Sequence, residues 1–408
     1  RLSGRRYLRD VRAAAGRRRD DQPSAARRPY GVRPHSGRHL DRTAPGRRPA
    51  GTGRALGFDA QYGAVVGFLE ALGARAPIVQ APMAGARAPP LAIAAVPGGA
   101  VGSLPCAMLT PAQLAAQVAE VHAAAPGPLN LNFFCHRLPE PMPDERAWHA
   151  LLAPYYAEEG VAPGAAPPLR RPFDEALCEA VEKARPAIVS FHFGLPEEAL
   201  LARVRGTGAL VLGNATTPEE MRWLAARGVD AVIAQGAEAG GHSGWFLGDR
   251  HRPTPLAALL AEKIAVPVIA AGGIVDGADI AWALAAGACA AQLGTAFLAA
   301  RESAISAPFR ALLGTRVPTE FTNLFSGREA QGLVNRLMRE LGPVRGEVPA
   351  FPYGSNALAP LRAHAEADGR GDYSPLWAGT GVARVRAMGA EELVGRLIAE
   401  LAQARAGA

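Results

Sequence analysis

The sequence predicts a (β/α)8 TIM barrel, and three observations carry that expectation. From about Phe58 onward, short apolar or β-branched runs alternate with Ala-rich amphipathic stretches, the pattern of repeated βα units. Eight such runs can be counted, which suits a closed parallel barrel better than an open sheet. The last two runs each pass into a Gly-bearing turn, where barrels of this class often hold a phosphate.

The strand candidates are residues 77–80, 99–104, 129–133, 187–191, 209–212, 231–235, 267–271 and 289–293. Thr110-Pro-Ala-Gln113 and Thr217-Pro-Glu-Glu220 signal helix starts, with Thr at the N-cap, Pro in the first helical position and Gln or Glu in the third. One connection is long: residues 137–186 part the third and fourth strands, run through Pro-rich stretches at 138–143 and 161–172, and lead into a helix at 173–184. An excursion on that side of a barrel reads as a lid or substrate loop, with plain decoration as the alternative. Residues 301–408 read as a mainly helical C-terminal cap on the barrel, ending in an amphipathic helix at 390–404. The expected division is thus a disordered extension at 1–57, a barrel at 58–300 and the cap at 301–408.

Composition narrows the class. Of 408 residues 49% are apolar and 20% charged, enough to bury a large core. The net charge of +7 suggests a nucleic-acid binder until it is located: residues 1–57 hold 16 Arg against 4 Asp, or +12, which leaves 7 − 12 = −5 for residues 58–408. The folded part is mildly acidic, and no nucleic-acid partner is expected. The extension has too few large apolar residues to offset its ordering entropy. A basic RNA-binding arm and an organellar transit peptide are alternatives that its acidic residues and lack of amphipathic repeat speak against, which leaves an upstream extension as the preferred reading. Cys106, Cys135, Cys178 and Cys289 lack metal-site spacing and are too few to staple the chain, so free thiols in a reducing compartment and no metal are expected. There is no apolar run of the ~20 residues a membrane span needs and no secretory apolar region, so a cytoplasmic location without membrane contact follows by elimination.

Chemistry is expected at the C-terminal ends of the strands. The seventh ends in Ala270-Ala-Gly-Gly-Ile274 and the eighth in Gln292-Leu-Gly-Thr-Ala296, where backbone N–H groups can approach an anion and Thr295 adds a hydroxyl. The fourth ends in Ile188-Val-Ser-Phe-His-Phe-Gly194, and alternation sets Ser190, His192 and Gly194 on one face. His192 is then a candidate proton acceptor; a core histidine satisfied by a backbone carbonyl is the competing reading. The sixth runs into Gln235-Gly-Ala-Glu-Ala-Gly-Gly-His-Ser-Gly244, which suits close approach to a flat ligand and offers His242 as a second, lower-ranked candidate. Gln80-Ala-Pro-Met-Ala-Gly85 ends the first strand, and Asn130 and Asn132 lie on the third. Neutral amides and backbone dipoles rather than charges are expected around the ligand, as suits a redox ring tuned by hydrogen bonds.

Together with Phe325-Ser-Gly-Arg328, these motifs resemble those of the nitronate monooxygenase (2-nitropropane dioxygenase) family, class I type, from about Ala76 to the C-terminus. The Ser-Phe-His-Phe-Gly and Phe-Ser-Gly-Arg elements are the discriminating ones. The resemblance implies an FMN-dependent oxidoreductase that oxidises an alkyl nitronate, such as propionate 3-nitronate, with O2 to a carbonyl compound and nitrite, as a monomer or homodimer. It implies His192 as the catalytic residue. It implies FMN contacts at Pro82, Met83, Asn132, Gln235, Gly240, Gly272, Gly273, Gln292, Leu293, Gly294 and Thr295, with His242 and Ser243 toward the substrate. The chain departs from the family at Ala86, Arg87, Ala88 and Pro89, where Gly and Thr-Pro are usual, and at Ser243, where relatives often carry Arg. These departures bear on the substrate, since an arginine there could pair with an anion. Two other readings remain: an NAD(P)H-dependent flavin reductase of the quinone or enoyl-thioester type on the same barrel, and a non-catalytic flavin or phosphate sensor.

Overall fold

A computed structural model describes residues 67, 71–86, 88–164 and 168–407. The extension at 1–57, expected to be disordered, lies outside the described residues. Among the described residues eleven strands follow in chain order: β1 Ile78–Gln80, β2 Gly102–Pro105, β3 Leu129–Phe134, β4 Ile188–His192, β5 Leu210–Ala215, β6 Ala231–Gln235, β7 Gly241–His242, β8 Val268–Ala271, β9 Ala290–Leu293, β10 Thr319–Thr322 and β11 Ala330–Leu333. Eight of them form one parallel sheet in the order β1-β9-β8-β6-β5-β4-β3-β2. The ring closes between its end strands, where the Gln80 N–H donates to the Val101 carbonyl and the Val101 N–H to the Ile78 carbonyl, both at 2.9 Å. This seam is short, and the Gln80 side chain extends it by accepting the Ser103 N–H at 2.9 Å.

Both faces of each barrel strand are buried, which is why the strands read as continuous apolar runs. Val79, Val101, Ile188, Leu212, Ile233 and Ile269 fill the interior. Leu131, Phe133, Val189, Phe191, Val211 and Val232 point outward into the helices. Each fully buried side chain of this size contributes roughly 1.5–3 kcal/mol. Packing is close enough at Gly213 that a Cβ there would stand 2.6 Å from the Leu224 side chain.

The N-cap signals act locally, with one divergence. Thr110 and Gln113 form a reciprocal capping box. Thr217 accepts the Glu220 N–H, but the Glu220 side chain turns away to bind Thr216 and the loop that follows β7. The long β3–β4 connection contains a helix, Arg146–Glu159, whose Trp148, Leu152, Tyr155 and Tyr156 share a separate core with Leu324, Phe325, Leu337 and Tyr373.

The stretch after residue 300 differs from a mainly helical cap in two respects. It contains the antiparallel hairpin β10–β11, and β11 pairs with β7 so that Ala330 lies opposite His242. Its final helix, Ala390–Ala406, packs on the helices Ala88–Gly98 and Gly277–Ala285, burying Leu393, Val394, Leu397 and Leu401. Only the four-residue helix Thr295–Leu298 follows β9 directly. The C-terminal helix therefore joins the outer helical ring. Among the described residues no helix is long and apolar enough to cross a membrane.

Candidate active site

Alternation along the strands turns Asn132, His192, Asn214, Gln235 and Gln292 inward at the C-terminal end of the barrel, around a cavity of about 410 Å3. Pro82, Met83, Gly240, His242, Gly272, Gly273, Gly294 and Thr295 also line it. Two expected site residues do not. Leu293 is one step out of phase on β9, so its side chain joins the outer core and its carbonyl accepts the Ala81 N–H at 2.9 Å. Ser243 is buried behind the glycine-rich segment, with its N–H on the Glu329 carbonyl at 2.9 Å.

A hydrogen-bond network fixes the polar groups. The His242 carbonyl accepts from Gln235 Nε2 at 2.9 Å and from His192 Nε2 at 3.2 Å. A carbonyl can only accept, so neutral His192 carries its proton on Nε2 and keeps a lone pair on Nδ1. Gln235 Oε1 accepts from Asn214 Nδ2 and from the Gly244 N–H, each at 2.9 Å. His242 Nε2 lies 2.9 Å from the Ser326 hydroxyl, which itself donates to the Arg328 carbonyl, so His242 is a donor there too. His136 donates through Nε2 to the Arg170 carbonyl at 3.1 Å, and its buried Nδ1 has no partner among the described residues. Buried Glu220 secures the segment beside His192 from outside, accepting Thr216 N–H at 2.7 Å and Leu247 N–H at 3.0 Å.

Backbone conformation contributes as well. Phe193, directly after His192, has φ of 66°. A bulky side chain in the left-handed region costs roughly 1 kcal/mol or more, and such strain persists only where the surroundings impose it. Here Phe134, at 5.0 Å between ring centroids, and Phe351, at 5.5 Å, hold the Phe193 ring, and the Arg328 guanidinium lies 4.3 Å from its centre.

The electrostatics correct one expectation: neutral amides and dipoles do not stand alone. Arg328 is largely buried, stacked on Phe193 and Trp245 and hydrogen-bonded to the Trp245 carbonyl, and burial pushes its pKa down to about 10. Arg170 lines the cavity. Among the described residues no carboxylate pairs with His136, His192 or His242. Burial first, and then the positive Arg328, lower His192 to about 3. Burial lowers His136 to about 4 and takes His242 well below the usual imidazole range. The site is thus a set of neutral imidazoles in a positive field, suited to an anion. Arg170 lies in a Pro-rich connection where nothing local singles it out, whereas Asn214 is legible by extending the period of β5 two residues.

The opposite wall carries the glycine turn at which a phosphate was expected from the sequence. Gly272 and Gly273 have φ of 130° and 71°, and Thr295 Oγ1 accepts the Gly379 N–H at 2.9 Å, which leaves its hydroxyl proton for a ligand. Gln292 Oε1 is buried without a partner among the described residues. An orphaned acceptor in a cavity wall costs about 1–3 kcal/mol unless a ligand donor meets it.

The nitronate monooxygenase family model matches residues 68–401. The chain is 41% identical over 346 residues to a nitronate monooxygenase of Paraburkholderia phytofirmans, covering 82% of this chain and 94% of that protein. It is 40% identical over 349 residues to one of Pseudomonas aeruginosa, covering 82% and 98%. Among solved structures, nitroalkane oxidase from Streptomyces ansochromogenes is similar with a TM-score of 0.76 at 38% identity, over 84% of this chain and 99% of that one. FabK from Thermotoga maritima shares the fold, with a TM-score of 0.62 at 21% identity over 83% and 96%.

Proposed function

The chain belongs to the nitronate monooxygenase family, and we propose that it holds FMN in the barrel cavity and oxidises alkyl nitronates, propionate 3-nitronate among them, with O2 to a carbonyl compound and nitrite. Support for the cofactor comes from the wall opposite His192. The Gly272–Gly273 turn and the Thr295 hydroxyl suit its phosphate, and the unpaired Gln292 Oε1 suits an N–H of its ring. Pro82, Met83, Asn132, Gln235 and Gly240 would form the remaining contacts. When bound, FMN supplies the electron transfer between substrate and O2 that no side chain here can perform.

The observation that carries the substrate reading is the state of His192. With Nε2–H committed to the His242 carbonyl, a proton can be taken only at Nδ1, and a pKa near 3 makes that group a weak base. Removing the α-proton of a neutral nitroalkane is therefore costly in this site. A nitronate has already lost that proton, and its negative charge is favoured by Arg328 and Arg170. His192 then positions the anion, while Phe134, Phe193 and Phe351 keep water from it.

The purified protein should release FMN on denaturation, identified by mass, and form nitrite from propionate 3-nitronate in air. Fully flavin-loaded protein that makes no nitrite, or whose flavin is bleached anaerobically by NADH, overturns this reading.

A further inference from the structure

We propose that Arg170 anchors a carboxylate at the far end of the substrate and thereby selects nitronates that carry a second negative charge over plain alkyl nitronates. The inference rests on the nitronate reading above and adds the residue that sets its specificity. Arg170 belongs to the long β3–β4 connection, and its backbone is tied to the barrel through the carbonyl that accepts the His136 Nε2–H at 3.1 Å. Arg170 lines the cavity, its guanidinium carbon stands 5.9 Å from the centre of the Phe351 ring, and among the described residues the guanidinium has no hydrogen-bond or ion-pair partner. Arg203, Arg336, Arg370 and Arg384 are, by contrast, each paired to carboxylates.

The neighbouring charges sharpen the point. Arg362 also lines the cavity and is paired to Glu366 at 2.9 Å, and the same Glu366 oxygen accepts the Ser374 hydroxyl at 2.7 Å. The carboxylate at this part of the wall is therefore engaged. Arg170, Arg362 and Glu366 together leave one positive charge that no protein group among the described residues offsets. Burial and the like charge of Arg362 both disfavour the charged form of Arg170, and an incoming anion relieves both.

Position argues that this anion is on the substrate and not the cofactor phosphate. The glycine turn at 272–273 and Thr295 lie at the ends of β8 and β9. Arg170 instead shares Phe351 with His136, at 4.8 Å between ring centroids, and with His242, at 5.3 Å, on the side of the cavity that holds His192. A planar guanidinium fork matches a carboxylate in two-point contact.

The test compares kcat/KM for propionate 3-nitronate and propyl-1-nitronate, which differ in the terminal carboxylate. In Arg170→Met the ratio should fall about 10- to 100-fold. Arg170→Lys should recover part of it, since the charge is kept and the fork lost. Both variants retain the backbone carbonyl that holds His136 and break no side-chain hydrogen bond, so folding should survive. A second arm needs no turnover: succinate, with a carboxylate in place of each anionic end, should raise the Tm of the unsubstituted protein more than butyrate does, and Arg170→Met should abolish that difference. An unchanged substrate ratio, or equal succinate stabilisation in both proteins, overturns the assignment. Failure of the unsubstituted enzyme on both nitronates overturns the functional reading instead, and the succinate arm still decides for or against the anchor.

Discussion

Gly244→Ala tests whether His192 must sit where the hydrogen-bond network holds it. A Cβ at residue 244 would stand 2.6 Å from His192 Cε1 and 2.9 Å from Nδ1, and closer still to Asn214 Nδ2. Non-bonded carbon atoms settle at about 3.5–4 Å, so the imidazole must retreat by roughly 1 Å. It has little room to do so. Phe134 and Phe193 flank the ring at 5.4 and 4.4 Å between centroids, and Nε2 is tied to the His242 carbonyl. Asn214 can move only by giving up its bond to Gln235 Oε1, the same oxygen that accepts the Gly244 N–H. Overpacking of this kind costs roughly 1–3 kcal/mol in stability, and a misplacement of about 1 Å at a reacting group costs on the order of 100-fold in rate. The expected outcome is a folded, flavin-containing protein with kcat/KM for nitronates reduced about 100-fold and a modestly lower Tm. Steady-state nitrite formation, thermal melting and the visible flavin spectrum read the three effects. Full activity with an unchanged spectrum would refute the placement of His192 and the rigidity of the segment around it.

Three further outcomes follow from the same geometry. His192→Asn removes the imidazole that positions the anion, so kcat/KM for nitronates should fall about 100-fold, and for neutral nitroalkanes, which also need Nδ1 as a base, by more; nitronate turnover spared in a steady-state assay would end that assignment. Gln292→Leu removes the orphaned Oε1, so the flavin dissociation constant should rise about tenfold or more while the apoprotein melts no lower. Fluorescence titration with FMN measures this, and unaltered affinity would place the ring elsewhere. His136 and His192, held at about 4 and about 3, return to the ordinary value of 6.5 when the chain unfolds. Between those values only the unfolded chain takes up protons, so the stability they contribute is complete above about pH 6.5 and drains away as the pH falls. Tm should drop between pH 7 and pH 5, and by less in His136→Gln, which keeps a donor for the Arg170 carbonyl; a pH-independent Tm would mean the imidazoles are not buried as described.

How much of this was legible follows from how local each determinant is. Barrel strands are apolar on both faces, so their runs stand out in the bare chain. Even so, β2 begins at Gly102 and not at 99, because Gly99 takes φ of 110° and Val101 contributes the bridge that closes the ring. The hairpin escaped for the opposite reason: Ala330-Gln-Gly-Leu333 has little strand preference, and its conformation is imposed by pairing with β10 and with Gly241–His242. Site residues at strand ends obey a period of two, which brings Asn132, His192, Gln235 and Gln292 to one cavity. The same period turns Leu293 outward, although it stands inside a recognisable motif.

Charge was the part least open to sequence reading. Whether an arginine is a solvated surface group or a cavity cation depends on what surrounds it in space, and Arg170 is set by two distant elements: His136, which holds its carbonyl, and Phe351, which lies under its guanidinium. Arg328 was visible within a motif, but its stacking between Phe193 and Trp245 was not. Arg328 acts on His192, and Arg170 on His136 and His242, in a way composition cannot show. A mildly acidic folded region contains a positive cavity because most of its carboxylates are paired elsewhere, while Arg170 and Arg362 both line the cavity and Glu366 offsets only one of them. An imidazole in such a cavity stays neutral in the empty enzyme and becomes a better proton acceptor once an anion offsets the field. His192 would then gain basicity from the substrate it binds, so any proton transfer there should be strongest with anionic ligands and weakest with neutral ones.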